Sequence, residues 1–195
     1  MTAGTLTSEV AEAETIVIWD IEGCPIPDGL NPSMVSQNIK TALVNAGYHG
    51  AVSINAVADD TTSHVTADEF ESAGVKLTLV PEGMKGKAHA RARAMLLNVL
   101  MGWIFKHQES TNVMFISNFI RSFGVGSYAS TRLNVLVSQP QIPSPELVCD
   151  VGDARSIWSW ENLSAGGNPY EQSFLGVDTC HCCGVRITQE VLLRH

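Results

Sequence analysis

The chain has 195 residues, 45% hydrophobic and 16% charged, a globular composition with enough apolar material for a sizeable core. Its formal net charge of -8 argues against capture of nucleic acid over a broad basic surface and leaves room for a local basic patch. No apolar run reaches the ~18 residues of a membrane span, and the acidic opening MTAGTLTSEVAEAE lacks the features of a secretory signal, so an intracellular protein, cytoplasmic or nuclear, is expected.

Residues 1–14 read as a disordered tail. The first strand spans 15–19, where Ile16, Val17 and Ile18 are contiguous rather than alternating, as in a strand covered on both faces. A helix over 33–46 follows, capped near Asn31 or Ser33 and stopped by Gly47. A second strand over 51–58 ends at Asp59-Asp60, a short helix over 65–73 closes at Gly74, and a third strand spans 75–80. The longest helical pattern, 87–106, carries Met95, Leu96, Val99, Leu100 and Trp103 at helical spacing. Strands over 112–117 and 133–138 complete the pattern, with a weaker helical segment between them. This alternation predicts an α/β fold, a mainly parallel five-stranded sheet flanked by helices, with ligands at the carboxyl ends of the strands. The domain is expected over 15–140, with 141–167 as a closing segment packed on it and 168–195 as a cysteine-rich tail.

Asp20 falls just after strand one and Asp59-Asp60 just after strand two, on the same edge of such a sheet. Carboxylates converging there would hold a hard dication such as Mg²⁺ or Mn²⁺, able to activate water and offset charge on a phosphodiester. The bland alternative is that they are solvated loop residues or helix caps.

The motif TIVIWDIEGCPIP (15–27) resembles the opening of NYN domains, in the branch of the meiosis regulator and mRNA stability factor (limkain) proteins, where a strand leads into W-D-I-E-N-C-x-x-P. The similarity continues through AVADDT, LVPEGMKGKA, VMFIS and LNVLVSQP, and ends in SIWSWENLSAGG, together covering about residues 15–167. It implies a three-layer PIN-like (Rossmannoid) fold with an acidic, metal-dependent endoribonuclease site. Onto this chain it carries Asp20, with Glu22 beside it, and Asp60 as catalytic residues, Asp20 and Asp60 being the Mg²⁺ or Mn²⁺ ligands.

The chain departs from the pattern at several of its acids. The aspartate that opens the family's long helix falls at Ala92, and Phe119 and Arg121 in ISNFIRSF stand where two acids are expected. Asn118 replaces a glycine, and Gly23 the asparagine after Glu22. An arginine facing the remaining carboxylates places a fixed positive charge where a dication would sit, so weak or absent nuclease activity is expected. His89, one turn before Ala92, offers a partial substitute for a lost acid.

Lys85, Lys87, His89, Arg91 and Arg93 precede or begin the long helix, where they either contact the phosphates of single-stranded RNA or form a solvated face balancing the excess of acids. Trp158 and Trp160 either stack on bases or dock the closing segment on the sheet. In the tail, Cys180-x₂-Cys183 and His195 look like the first three ligands of a C2H2 zinc finger, a module that NYN proteins of the plant branch often carry. The fourth ligand would lie past residue 195, which predicts a truncated finger or a weak Zn²⁺ site, with a redox role for the thiols as a further alternative.

The expectation is a degenerate endoribonuclease acting by RNA or partner binding in post-transcriptional regulation. The alternatives are an active metal-dependent endoribonuclease and a scaffold that binds a protein partner through the apolar surface over 119–123. A peroxisomal association follows from the resemblance alone.

Overall fold

The computed structural model describes residues 6–59, 66–80, 90–91, 94–106, 109–119, 133–140 and 154–170, with backbone alone at 96–98, 177–179 and 186–187. Six strands, β1 (Thr15–Asp20), β2 (Val52–Ala58), β3 (Val75–Leu79), β4 (Thr111–Ile116), β5 (Leu133–Gln139) and β6 (Ser156–Ser159), form one sheet in the order β3-β2-β1-β4-β5-β6. Every neighbouring pair is parallel. The expected α/β fold with a flanked parallel sheet is therefore present, with one strand more than predicted. The extra strand, β6, comes from the closing segment, which pairs with β5 from Leu136↔Ser156 to Gln139↔Ser159.

The helices begin where local chemistry dictates. The helix α2 (Pro32–Asn45) has Asn31 as its cap, whose side chain accepts from the Met34 N–H at 2.9 Å, and a proline in its first turn. The helix α3 (Ala67–Ser72) opens with a reciprocal Thr66–Glu69 capping box. Those hydrogen bonds lower the Glu69 pKa below its usual value. The segment read as a disordered N-terminal tail instead contains a short helix, α1 (Ser8–Glu12), with Val10 buried in the core. Asn112 on β4 ties it down, its Nδ2 donating to the carbonyls of Val10 and Ala13 at 2.9 and 3.2 Å.

The described part of the long helical segment is not one regular helix. Ala90, Arg91 and Ala94 are helical, Met95–Leu100 is a π-helix, and α4 (Met101–Lys106) resumes α geometry. The wider π turn lets Met95, Val99 and Leu100 all face the sheet, at spacings of four and five residues.

The sheet divides its side chains by parity. Val17 and Trp19 join the cluster under α2, with Val35, Ile39 and Leu43. Ile16 and Ile18 join the opposite cluster, with Ala90, Ala94, Met95 and Val99. Both faces of β1 are thus covered, which is why its sequence is continuously apolar. Asp20 continues the parity of Ile16 and Ile18, on the side where Arg91 lies.

The closing segment is docked by its tryptophans. Trp158 is fully buried and Trp160 is 6% exposed, so the base-stacking alternative falls and the docking one holds. Trp160 lies 5.3 Å from the Trp19 ring and donates through Nε1 to the Pro25 carbonyl at 2.8 Å. The helix α5 (Trp160–Ser164) follows, and its Ser164 carbonyl accepts from Asn38 Nδ2 on α2 at 2.6 Å. In the tail, β7 (Val177–Thr179) and β8 (Arg186–Ile187) pair antiparallel on either side of the Cys180–Cys183 stretch.

Candidate functional site

Strand order reverses between β1 and β4: β2 and β3 lie to one side of β1, while β4 and its successors lie to the other. At such a switch the two following loops separate and leave a crevice at the carboxyl edge. Asp20, the last residue of β1, and Ser117, just after β4, meet across it, with Ser117 Oγ donating to Asp20 Oδ2 at 2.9 Å. On the other oxygen, the Gly23 N–H donates to Asp20 Oδ1 at 3.2 Å. A Cβ built at Gly23 would run into Asp20 Oδ2 and Asn118 Oδ1, so the absence of a side chain there permits the close approach.

The remaining contacts come from Arg91. Its Nε donates to Asp20 Oδ1 at 2.9 Å and lies 3.5 Å from Glu22 Oε2, while Nη1 donates to Asp59 Oδ2 at 2.7 Å. Glu22 is fixed in turn by the Asp59 N–H, which donates to its Oε1 at 2.7 Å. The Phe119 ring covers the guanidinium, its centroid 5.9 Å from Cζ, and the Phe119 N–H donates to Ser117 Oγ at 3.0 Å. Three carboxylates, one guanidinium and one aromatic ring thus close the crevice among the described residues.

The electrostatics follow from burial. Asp20 is 1% exposed and Arg91 7%. Burial works against the charge of Arg91, but Asp20, Asp59 and Glu22 outweigh it and hold the guanidinium pKa above its usual value. Glu22 sits at the rim with its side chain 27% exposed. Burial raises its pKa, only partly offset by the Asp59 N–H and the charge of Arg91. Below the rim, burial and the neighbouring Asp20 push the Cys24 thiol well above its ordinary range, so it stays neutral.

Residues 14–147 match the NYN domain. The chain belongs to the NYN family. An NYN domain is a PIN-like, nuclease-type domain of RNA-associated proteins, and the parallel sheet agrees with that fold. No curated protein matches the chain significantly. No helix among the described residues is long and apolar enough to cross a membrane.

NYN nuclease-type domains typically depend on a divalent metal. Among the described residues of this NYN domain the donor set does not fit one. Both oxygens of Asp20 are committed to Arg91, Gly23 and Ser117, and a guanidinium stands between Asp20 and Asp59. Among the described residues no group of three or more His, Cys, Asp or Glu side chains is arranged to hold a metal ion.

The structure brings Asp20 and Glu22 to the same crevice, 2.9 and 3.5 Å from Arg91 Nε. Asp60 lies outside the described residues, and the acid that joins the site from the end of β2 is Asp59, which sequence reasoning passed over for its neighbour. Arg91, read as an RNA contact, is corrected: its side chain is buried among the acids and is not presented to a phosphate backbone. A signal for this existed, since Arg91 lies four residues before Met95, on the apolar stripe with Ala90 and Ala94. The arginine expected to face the acids, Arg121, lies outside the described residues, as do Ala92, Lys85, Lys87, His89, Arg93, Cys180, Cys183 and His195.

Proposed function

We propose that this NYN domain is a degenerate endoribonuclease that acts by binding single-stranded RNA, or a partner, in post-transcriptional regulation, with weak or no cleavage of its own. The observation that carries this reading is Arg91 in the acid cluster, paired with Asp20 and Asp59 at 2.9 and 2.7 Å. In-line hydrolysis requires water and phosphate aligned by the site, and a fixed guanidinium among the carboxylates takes the place and the charge that a dication would use to align them. The motifs W-D-I-E and W-x-W-x-x-L-x-x-G-G support assignment to the limkain-type branch, and the Cys180-x₂-Cys183 spacing supports a finger remnant with at most weak Zn²⁺ affinity.

With Arg91 withdrawn to the acids, RNA affinity in this reading rests on Lys85, Lys87, His89 and Arg93, a short set that makes binding modest and strongly salt-dependent. The test incubates the protein and its Asp20→Asn variant with labelled single-stranded RNA and Mn²⁺. RNA retention that weakens as salt rises, without cleavage, is the expected result. Cleavage by the wild type that Asp20→Asn abolishes would overturn the reading in favour of an active metal-dependent endoribonuclease.

A further inference from the structure

We propose that Arg91 is a resident counter-ion that replaces the divalent cation of the nuclease-type site: it holds the acidic edge together and keeps metal out. The inference rests on the reading of a degenerate site but concerns cation binding, which is measured without RNA. Asp20, Glu22 and Asp59 reach the same crevice from the end of β1 and the end of β2, and their mutual repulsion has to be compensated for the edge to close. A dication compensates such a group by direct ligation to oxygen. A guanidinium does the same through directed N–H bonds, and its charge is permanent because it is not deprotonated in proteins.

The surroundings of Arg91 are adapted to an organic cation. The Phe119 ring lies 5.9 Å from Cζ, where the resemblance to the family calls for an acid. An aromatic face suits a planar, weakly hydrated guanidinium and contributes no ligand to a hydrated metal ion. Asp20 uses one oxygen for Arg91 and Gly23 and the other for Ser117, so three protein donors already engage the carboxylate that a metal would ligate. Phe119 also reaches the cluster through its own N–H on Ser117 Oγ, so ring, hydroxyl, carboxylate and guanidinium form one connected unit.

The experiment titrates Mn²⁺, followed by electron paramagnetic resonance of the free ion and by thermal unfolding. It compares the wild type, Asp20→Asn, Arg91→Gln, and Arg91→Gln combined with Asp20→Asn. The wild type is expected to show the same Tm in EDTA and in ~1 mM Mn²⁺, a concentration that stabilises any site with a Kd well below it. Arg91→Gln is expected to unfold at lower temperature, to take up one Mn²⁺, and to regain about 3 °C or more of Tm, a gain absent from the double variant. If Arg91→Gln does not fold without metal, refolding in Mn²⁺ is the expected rescue, and failure of that rescue overturns the proposal. Mn²⁺ bound by the wild type and lost in Asp20→Asn also overturns it, as does an Arg91→Gln protein that is as stable as the wild type without metal. RNA cleavage by the wild type bears on the function proposed above, whereas the Mn²⁺ titration bears on Arg91, so the two fail separately.

Discussion

Arg91 Nε and Asp20 Oδ1 meet at 2.9 Å, with the two side chains 9% and 1% exposed. The pair joins the long helical segment on one face of the sheet to the tip of its central strand. Breaking a buried ion pair from one side strands the other charge, at a cost of about 3–5 kcal/mol. Arg91→Met, which leaves three carboxylates without their cation, is expected to fall in that range. Asp20→Asn is expected to cost less, because Asp59 and Glu22 still pair with the guanidinium. Urea unfolding of both variants checks the order, and an Asp20→Asn protein less stable than Arg91→Met would contradict it.

Gly23 stands where the family motif has an asparagine, and the structure explains why that residue does not fit here. Its Cβ would meet the carboxylate of Asp20, which Ser117 and Arg91 hold in place. Gly23→Asn is expected to destabilise by about 1–3 kcal/mol, the usual cost of overpacking a closed site. A shift in the urea midpoint with an unchanged slope would be the signature.

Tyr48 Oη and Ser156 Oγ lie 2.9 Å apart, joining the end of α2 to β6. Burial raises the Tyr48 pKa above its ordinary 10.0, because the phenolate is disfavoured inside the fold. The phenol's contribution is therefore fully present below pH 10.0 and is lost as pH rises through the folded pKa. At pH 7 Tyr48→Phe is expected to cost about 0.5–1.5 kcal/mol for the hydrogen bond. The wild type's advantage should then shrink as unfolding is measured at increasingly alkaline pH, and a gap that widened would be inconsistent with the buried phenol.

Trp160 packs on Trp19 and is bonded to the Pro25 carbonyl, so it fastens the closing segment to the loop after β1. Trp160→Ala is expected to cost about 3–5 kcal/mol, as for other large aromatic truncations in a core. Because that loop carries Gly23 and Glu22, the substitution should also loosen the acidic rim, read as faster hydrogen exchange at the Gly23 and Asp59 amides.

Much of the architecture was legible because its signals are local. Contiguous apolar residues at 16–18 marked a strand covered on both faces, and Asn31 and Gly47 bracketed α2 almost to the residue. The N-terminal helix escaped notice because its only deeply buried apolar residue is Val10. β6 escaped notice as a strand because SIWS is only four residues long, too short for a strand pattern to stand out.

The amino-acid sequence by itself determined the strand–helix alternation, the family, and the delivery of Asp20 and Glu22 to one sheet edge, since each depends on residue order and short-range pattern. The tertiary structure alone decided which cation those acids face. Arg91 lies 71 positions from Asp20 in the chain, and although its place on the apolar stripe with Ala90 and Ala94 turns it inward, only the folded sheet sets those acids in front of it. Helix register and the parity of β1 place it over the crevice, where burial makes the pairing mandatory and Phe119 covers it.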